Sequence, residues 1–194
     1  MIKKIFLLLF RAKKWKLDYP APEEAKNSIV VAAPHTSNWD FVYTITALDQ
    51  LHLNPRFTIK KEFNKFPVGS FIASMGAIWI DRSVKNKGEK RPSMTKVMAS
   101  LFNQKEESLC VVVTPEGTRS KNTQWKTGFY YSALEAKVPI CLAYMDYKTR
   151  RCGVDFCFMP SGDIEKDMKI MMDFYKDKTG KKPEYFSLDE RYTT

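Results

Sequence analysis

Ser28-Ile29-Val30-Val31-Ala32-Ala33-Pro34-His35-Thr36-Ser37-Asn38-Trp39-Asp40 is the stretch on which the fold turns. Its first six residues are apolar or small without polar alternation, and they stop at a proline. That is the pattern of a short strand buried on both faces. Ser37-Asn38 then offers capping oxygens to a helix predicted over Trp39–Leu51.

The same alternation continues on the C-terminal side. Strands are predicted at Arg56–Ile59, Ala77–Ile80, Leu109–Val113, Pro139–Met145 and Val154–Met159. Helices are predicted at Val68–Met75, Ser93–Gln104 and Gly128–Lys137, with a basic loop at Ser83–Pro92 and a polar one at Thr114–Thr127. Pro139–Met145 and Val154–Met159 would pair across a turn near Lys148–Gly153. Ile164, Met168, Met171, Met172 and Tyr175 share one helical face, a stripe that reads as core packing. Alternating strands and helices predict an α/β fold: a single domain with a mainly parallel central sheet flanked by helices. The length of 194 residues suits one domain and is short for two.

On the N-terminal side the charge is uneven. The net charge is +10, and Lys3, Lys4, Arg11, Lys13, Lys14 and Lys16 stand in the first sixteen residues without an acid, leaving +4 elsewhere. Such an excess favours an anionic partner. The apolar run Ile5–Phe10 is far short of the ~20 residues that span a bilayer, and no small-residue cleavage site follows it. The reading is an N-terminal amphipathic helix lying on a membrane surface, with Trp15 and the lysines at the interface; a first helix packed on the domain is the alternative, and the two are compatible. It divides the chain into residues 1–17, basic and membrane-contacting, and residues 18–194. Cys110, Cys141, Cys152 and Cys157 form no CxxC pair and read as free thiols in a reducing compartment. Two histidines, His35 and His52, are too few for a His/Cys zinc site, so no metal is expected.

In open parallel sheets, sites lie beyond the carboxyl ends of the strands. Three polar clusters fall there: His35–Asp40, Asp81–Arg82 and Glu116–Arg119. A neutral imidazole can take a proton from a hydroxyl, and a carboxylate on its other nitrogen holds the tautomer and stabilises the imidazolium. Alone, His-x4-Asp is weak, because a helix-capping aspartate beside a surface histidine gives the same pattern. Pro115-Glu116-Gly117-Thr118-Arg119-Ser120 offers close backbone approach at the glycine and a forked cation at Arg119. A polar turn would read the same way.

Together, in this order, the clusters resemble the four blocks of the glycerolipid acyltransferase family, the group containing lysophosphatidate acyltransferase. His35 and Asp40 match the first block, and Gly76 to Arg82 the Gly-x-Ile-x-Ile-Asp-Arg block. Pro115 to Ser120 matches Pro-Glu-Gly-Thr-Arg-Ser without a gap, and Val138-Pro139-Ile140 matches the fourth block. Lys60-Lys61-Glu62-Phe63 fits a Lys-x-Glu-Leu element ahead of the second block.

The resemblance implies an O-acyltransferase of phospholipid biosynthesis with His35 as general base and Asp40 as its orienter. It implies that Lys60, Arg82, Glu116 and Arg119 hold the acceptor or its phosphate, with the Glu116-Gly117-Thr118 backbone near the reacting centre. The donor would be acyl-CoA or acyl carrier protein as co-substrate, with no cofactor, and the acceptor a lysophospholipid or related lysolipid. The expected place is the cytoplasmic face of the membrane, peripherally bound. Two other classes compete: a non-catalytic binder of anionic lipid or nucleic acid, and a thioesterase-type hydrolase in which His35 activates water. No nucleic-acid motif accompanies the charge, which disfavours nucleic acid as a partner.

Overall fold

A computed structural model describes residues 2–65, 67–80, 93–103 and 108–193, with Lys60, Phe63 and Val68 described for the backbone only. The strands are β1 (Lys16–Asp18), β2 (Asn27–Ala33), β3 (Pro55–Lys60), β4 (Ala77–Ile80), β5 (Leu109–Val113), β6 (Ile140–Asp146) and β7 (Arg151–Phe158). The helices are α1 (Ile2–Ala12), α2 (Asn38–Gln50), α3 (Val68–Ser74), α4 (Met94–Leu101), α5 (Gly128–Ala136) and α6 (Ile164–Tyr175). The predicted loop at Ser83–Pro92 lies outside the described residues.

The described strands form one sheet in the order β1-β7-β6-β2-β5-β3-β4. From β6 to β4 all neighbours run parallel, whereas β7 is antiparallel to β6 and β1 runs parallel to β7. The fold is therefore the α/β sandwich that the strand–helix alternation predicted. β1 is too short to carry a periodic signal and was not foreseen. β7 begins three residues earlier than predicted, because it pairs with β6 as far as Asp146↔Arg151.

β2 lies between β5 and β6, which is why its run has no polar alternation. Ile29, Val31 and Ala33 face a core built with α5 and α6, and Val30 and Ala32 face a second core under α2. The predicted methionine stripe is core: Met168, Met171 and Tyr175 are fully buried.

Two expectations are corrected. Cys141 and Cys157 are not free thiols: they oppose each other in the β6–β7 register and are joined by a disulfide. Cys110 and Cys152 remain free and buried. Sequence spacing showed nothing of this, because the pairing depends on cross-strand register. Trp15 is not interfacial. It is 7% exposed and packs with Phe10, Tyr43 and Tyr147. The chain turns back after α1 to enter β1, and that turn carries Trp15 under the helix.

α1 packs on α2, with Phe10 buried and Lys3 paired to Asp49 at 2.6 Å. Its other face leaves Ile5 46% and Leu8 67% exposed beside Lys4 and Arg11. No helix among the described residues is long and apolar enough to cross a membrane.

Candidate active site

The carboxyl ends of β2, β5 and β6 are adjacent in the sheet, so the segments leaving them meet. β2 leads through Pro34 into His35. Ser37 caps α2, its hydroxyl accepting from the Trp39 N–H at 3.2 Å. Asp40, on the first turn, returns the box: its Oδ2 accepts the Thr36 and Ser37 backbone N–H groups, each at 2.7 Å. Asp40 is 3% exposed, and Oδ2 stands 3.6 Å from His35 Nδ1. That is ion-pair range and longer than a hydrogen bond, a spacing common before substrate binds. Asp40 is thus both the capping aspartate and the imidazole's neighbour; the two readings of His-x4-Asp describe one residue.

With Nδ1 turned to Asp40, Nε2 is the nitrogen left for a substrate. Burial lowers the His35 pKa, Asp40 opposes that, and Arg119 adds to it. The imidazole is therefore neutral at pH 7 and able to accept a proton.

The loop after β5 joins from the other side. Glu116 is 3% exposed, and its Oε1 accepts the His35 backbone N–H at 2.8 Å. Among the described residues Oε2 has no hydrogen-bond partner, and burial pushes the carboxyl up to about 7 against the pull of the His35 N–H. Glu116 accordingly sits behind His35 rather than on an open cleft wall. Asn122 Nδ2 donates to the Glu116 carbonyl at 2.8 Å. Arg119 is exposed and donates to Asn38 Oδ1 at the start of α2. Thr118 is exposed, its hydroxyl accepting from the Ser120 N–H. Gly117 has φ +66°, and a Cβ there would fall 2.6 Å from Lys126 Nζ and 2.8 Å from its Cδ, so glycine clears the path of that lysine.

Of the residues singled out from the sequence, His35, Asp40, Glu116, Gly117, Thr118 and Arg119 come together here. Lys60 ends β3, opposite Ile80 of β4, on the same carboxyl edge of the sheet. Arg82 lies outside the described residues.

Sequence reading missed two neighbours. Lys126 lines the same cavity as His35 and has no carboxylate partner among the described residues. Tyr147, the first residue after β6, donates its hydroxyl to Asp40 Oδ1 at 2.6 Å. Looking just past the end of the predicted strand Pro139–Met145, as for the other strands, would have drawn attention to it.

Behind the pair is a cavity of about 470 Å³. It exists because the sheet opens: β3 pairs with β5 only over Pro55–Phe57, then continues to Lys60 with β4, while β5 stays with β2 as far as Val113. Thr58, Val112 and Val113 line that gap, Phe41, Thr44 and Ile45 its α2 side, and Met94, Met98 and Phe129 its far side. His35 and Asp40 stand among these lining residues, giving an apolar chamber with a base in its wall. Among the described residues no three His, Cys, Asp or Glu side chains are grouped as metal ligands.

The family model described as Acyltransferase matches residues 16–146, and the chain belongs to that family. The matched span contains the residues that carried the resemblance, which it bears out. Among solved structures, the fold is similar to that of the 1-acyl-sn-glycerophosphate (LPA) acyltransferase PlsC from Thermotoga maritima. The TM-score is 0.58 at 18% identity, over 93% of this chain and 80% of that one. No curated protein matches the sequence significantly.

Proposed function

We propose that the protein transfers a fatty acyl group from acyl-CoA or acyl carrier protein to the hydroxyl of a lysophospholipid, of the 1-acylglycerol-3-phosphate kind or a related lysolipid. The observation that carries this reading is the placing of the His35–Asp40 pair in the wall of an apolar cavity of about 470 Å³. A chamber of that size and lining suits an acyl chain, and the His35 imidazole in its wall would meet the thioester carbonyl.

In this reading, His35 Nε2 takes the proton of the acceptor hydroxyl as its oxygen attacks the thioester carbonyl. The C–O bond forms, the C–S bond breaks, and the imidazolium returns the proton to the departing thiolate. Ester and free thiol result, and no further cofactor takes part. Asp40 stabilises the imidazolium, and Glu116 fixes the backbone of the base. Arg119, Lys126 and, by resemblance, Lys60 and Arg82 supply cations for an acceptor phosphate. PlsC of Thermotoga maritima is a 1-acyl-sn-glycerophosphate acyltransferase, which favours such an acceptor.

Residues 1–17 would hold the enzyme peripherally on the cytoplasmic face of an anionic membrane, through Ile5 and Leu8 and the surrounding cations. The test is incubation of purified protein with acyl-CoA or acyl carrier protein and a panel of lysolipids, with products read by mass spectrometry and His35→Ala as control. Thioester hydrolysis without acyl transfer to any acceptor would favour a thioesterase instead.

A further inference from the structure

Asp40 has more partners than a helix cap needs. Two backbone N–H groups and the His35 imidazole gather at Oδ2, whereas Oδ1 takes the Tyr147 hydroxyl at 2.6 Å. The donor comes 107 residues later in the chain, from just past the end of β6. Capping does not require it.

The phenol is held firmly. Its ring meets Trp15 edge-on with centroids 4.8 Å apart and lies 6.5 Å from Tyr43. Arg150 stands over the other ring of that pair, 5.8 Å from the Trp15 centroid. The Tyr147 backbone N–H donates to the Thr179 carbonyl at 2.9 Å. Ring packing and backbone bond together fix where the hydroxyl points, as a supporting residue must. Because a carboxylate rotates about its last torsion, a donor fixed on Oδ1 works with the two backbone N–H groups on Oδ2 to hold that oxygen toward the imidazole.

We infer that Tyr147 is a positioning residue of the His35–Asp40 pair, its hydroxyl locking the carboxylate with Oδ2 toward the imidazole and sharing the carboxylate's charge. The inference rests on the proposed role of His35 as base and extends it to a third group. The other charged or titratable groups around the pair are Glu116 and Arg119 from the loop after β5, Tyr43 from α2, and Arg150 from the β6–β7 turn. Among the described residues, Lys126 ahead of α5, Tyr144 of β6 in the same cavity lining, and Lys181 over the Trp39 ring also stand near it.

Tyr147→Phe isolates the hydroxyl, because the ring and its packing on Trp15 remain. Without the phenol, the charge of Asp40 is left to the imidazolium. The His35 pKa should then rise by about half a unit or more. The protein has two histidines, so NMR titration of His35 with exposed His52 as internal reference reads this without any substrate. His35 should move in Tyr147→Phe and His52 should not. In the transfer assay, kcat at neutral pH should fall roughly 5–50-fold with both KM values unchanged, and the acid limb should move to higher pH with the NMR value. An unchanged or lowered His35 pKa in the variant overturns the inference, whatever the activity. Absence of transferase activity from wild type, with the His35 shift present, sinks the proposed reaction and leaves the positioning intact.

Discussion

The backbone N–H of His35 donates to Glu116 Oε1 at 2.8 Å, so two segments 81 residues apart are tied at the base itself. The bond joins the end of β2 to the end of β5, neighbours in the sheet. It also places a carboxylate where water scarcely reaches, and the first prediction follows from that cost.

Glu116 has its pKa raised to about 7 by burial, above the ordinary 4.5. A raised carboxyl binds its proton more tightly in the folded state. The stability this confers is complete below pH 4.5 and is lost as pH rises toward about 7. Glu116→Gln keeps an oxygen for the His35 N–H and cannot ionise. Its stability relative to wild type should therefore improve between pH 5 and pH 8, by up to about 3 kcal/mol in urea unfolding. A difference independent of pH would show that the fold does not raise the Glu116 pKa.

His35 and Asp40 should separate chemistry from stability. His35→Ala removes a half-buried base and should lower kcat at least about 100-fold with unfolding unchanged. Asp40→Ala also strips Thr36 and Ser37 of their acceptor, so it should additionally cost about 1 kcal/mol in denaturant unfolding. Transfer by His35→Ala within about tenfold of wild type would refute the base assignment.

Arg119→Lys keeps the charge and loses the fork. With an acceptor bearing phosphate, the expected result is a severalfold higher KM for acceptor and an unchanged KM for donor. Equal increases for both would place Arg119 on the thioester carrier.

Deleting the N-terminal segment is a poor test of membrane contact, because Phe10 and Trp15 belong to the core. Ile5→Asp with Leu8→Asp alters only the exposed face of α1. This double variant should keep its melting temperature and its activity on a soluble short-chain acceptor, yet lose sedimentation with anionic vesicles. Vesicle binding equal to wild type would show that membrane contact lies elsewhere.

Met98 narrows the cavity from the α4 side. Met98→Trp should move donor preference toward shorter chains, read as the ratio of kcat/KM for long and short acyl thioesters. A ratio unchanged from wild type would mean that the chain lies outside this cavity.

By itself the sequence determined the elements that local pattern encodes. Ser28–Ala33 is buried on both faces and reads so, the stripe from Ile164 to Tyr175 is core, and His35, Asp40 and Glu116 stand just past strands whose ends were legible. Strand order and register belonged to the tertiary structure, because apolar runs bury equally well in many orders. The disulfide between Cys141 and Cys157 depends on the β6–β7 register, and the burial of Trp15 on the turn into β1. The cavity depends on β3 leaving β5 after Phe57. Tyr147 meets Asp40 because β6 lies beside β2, an adjacency that no spacing in the chain expresses.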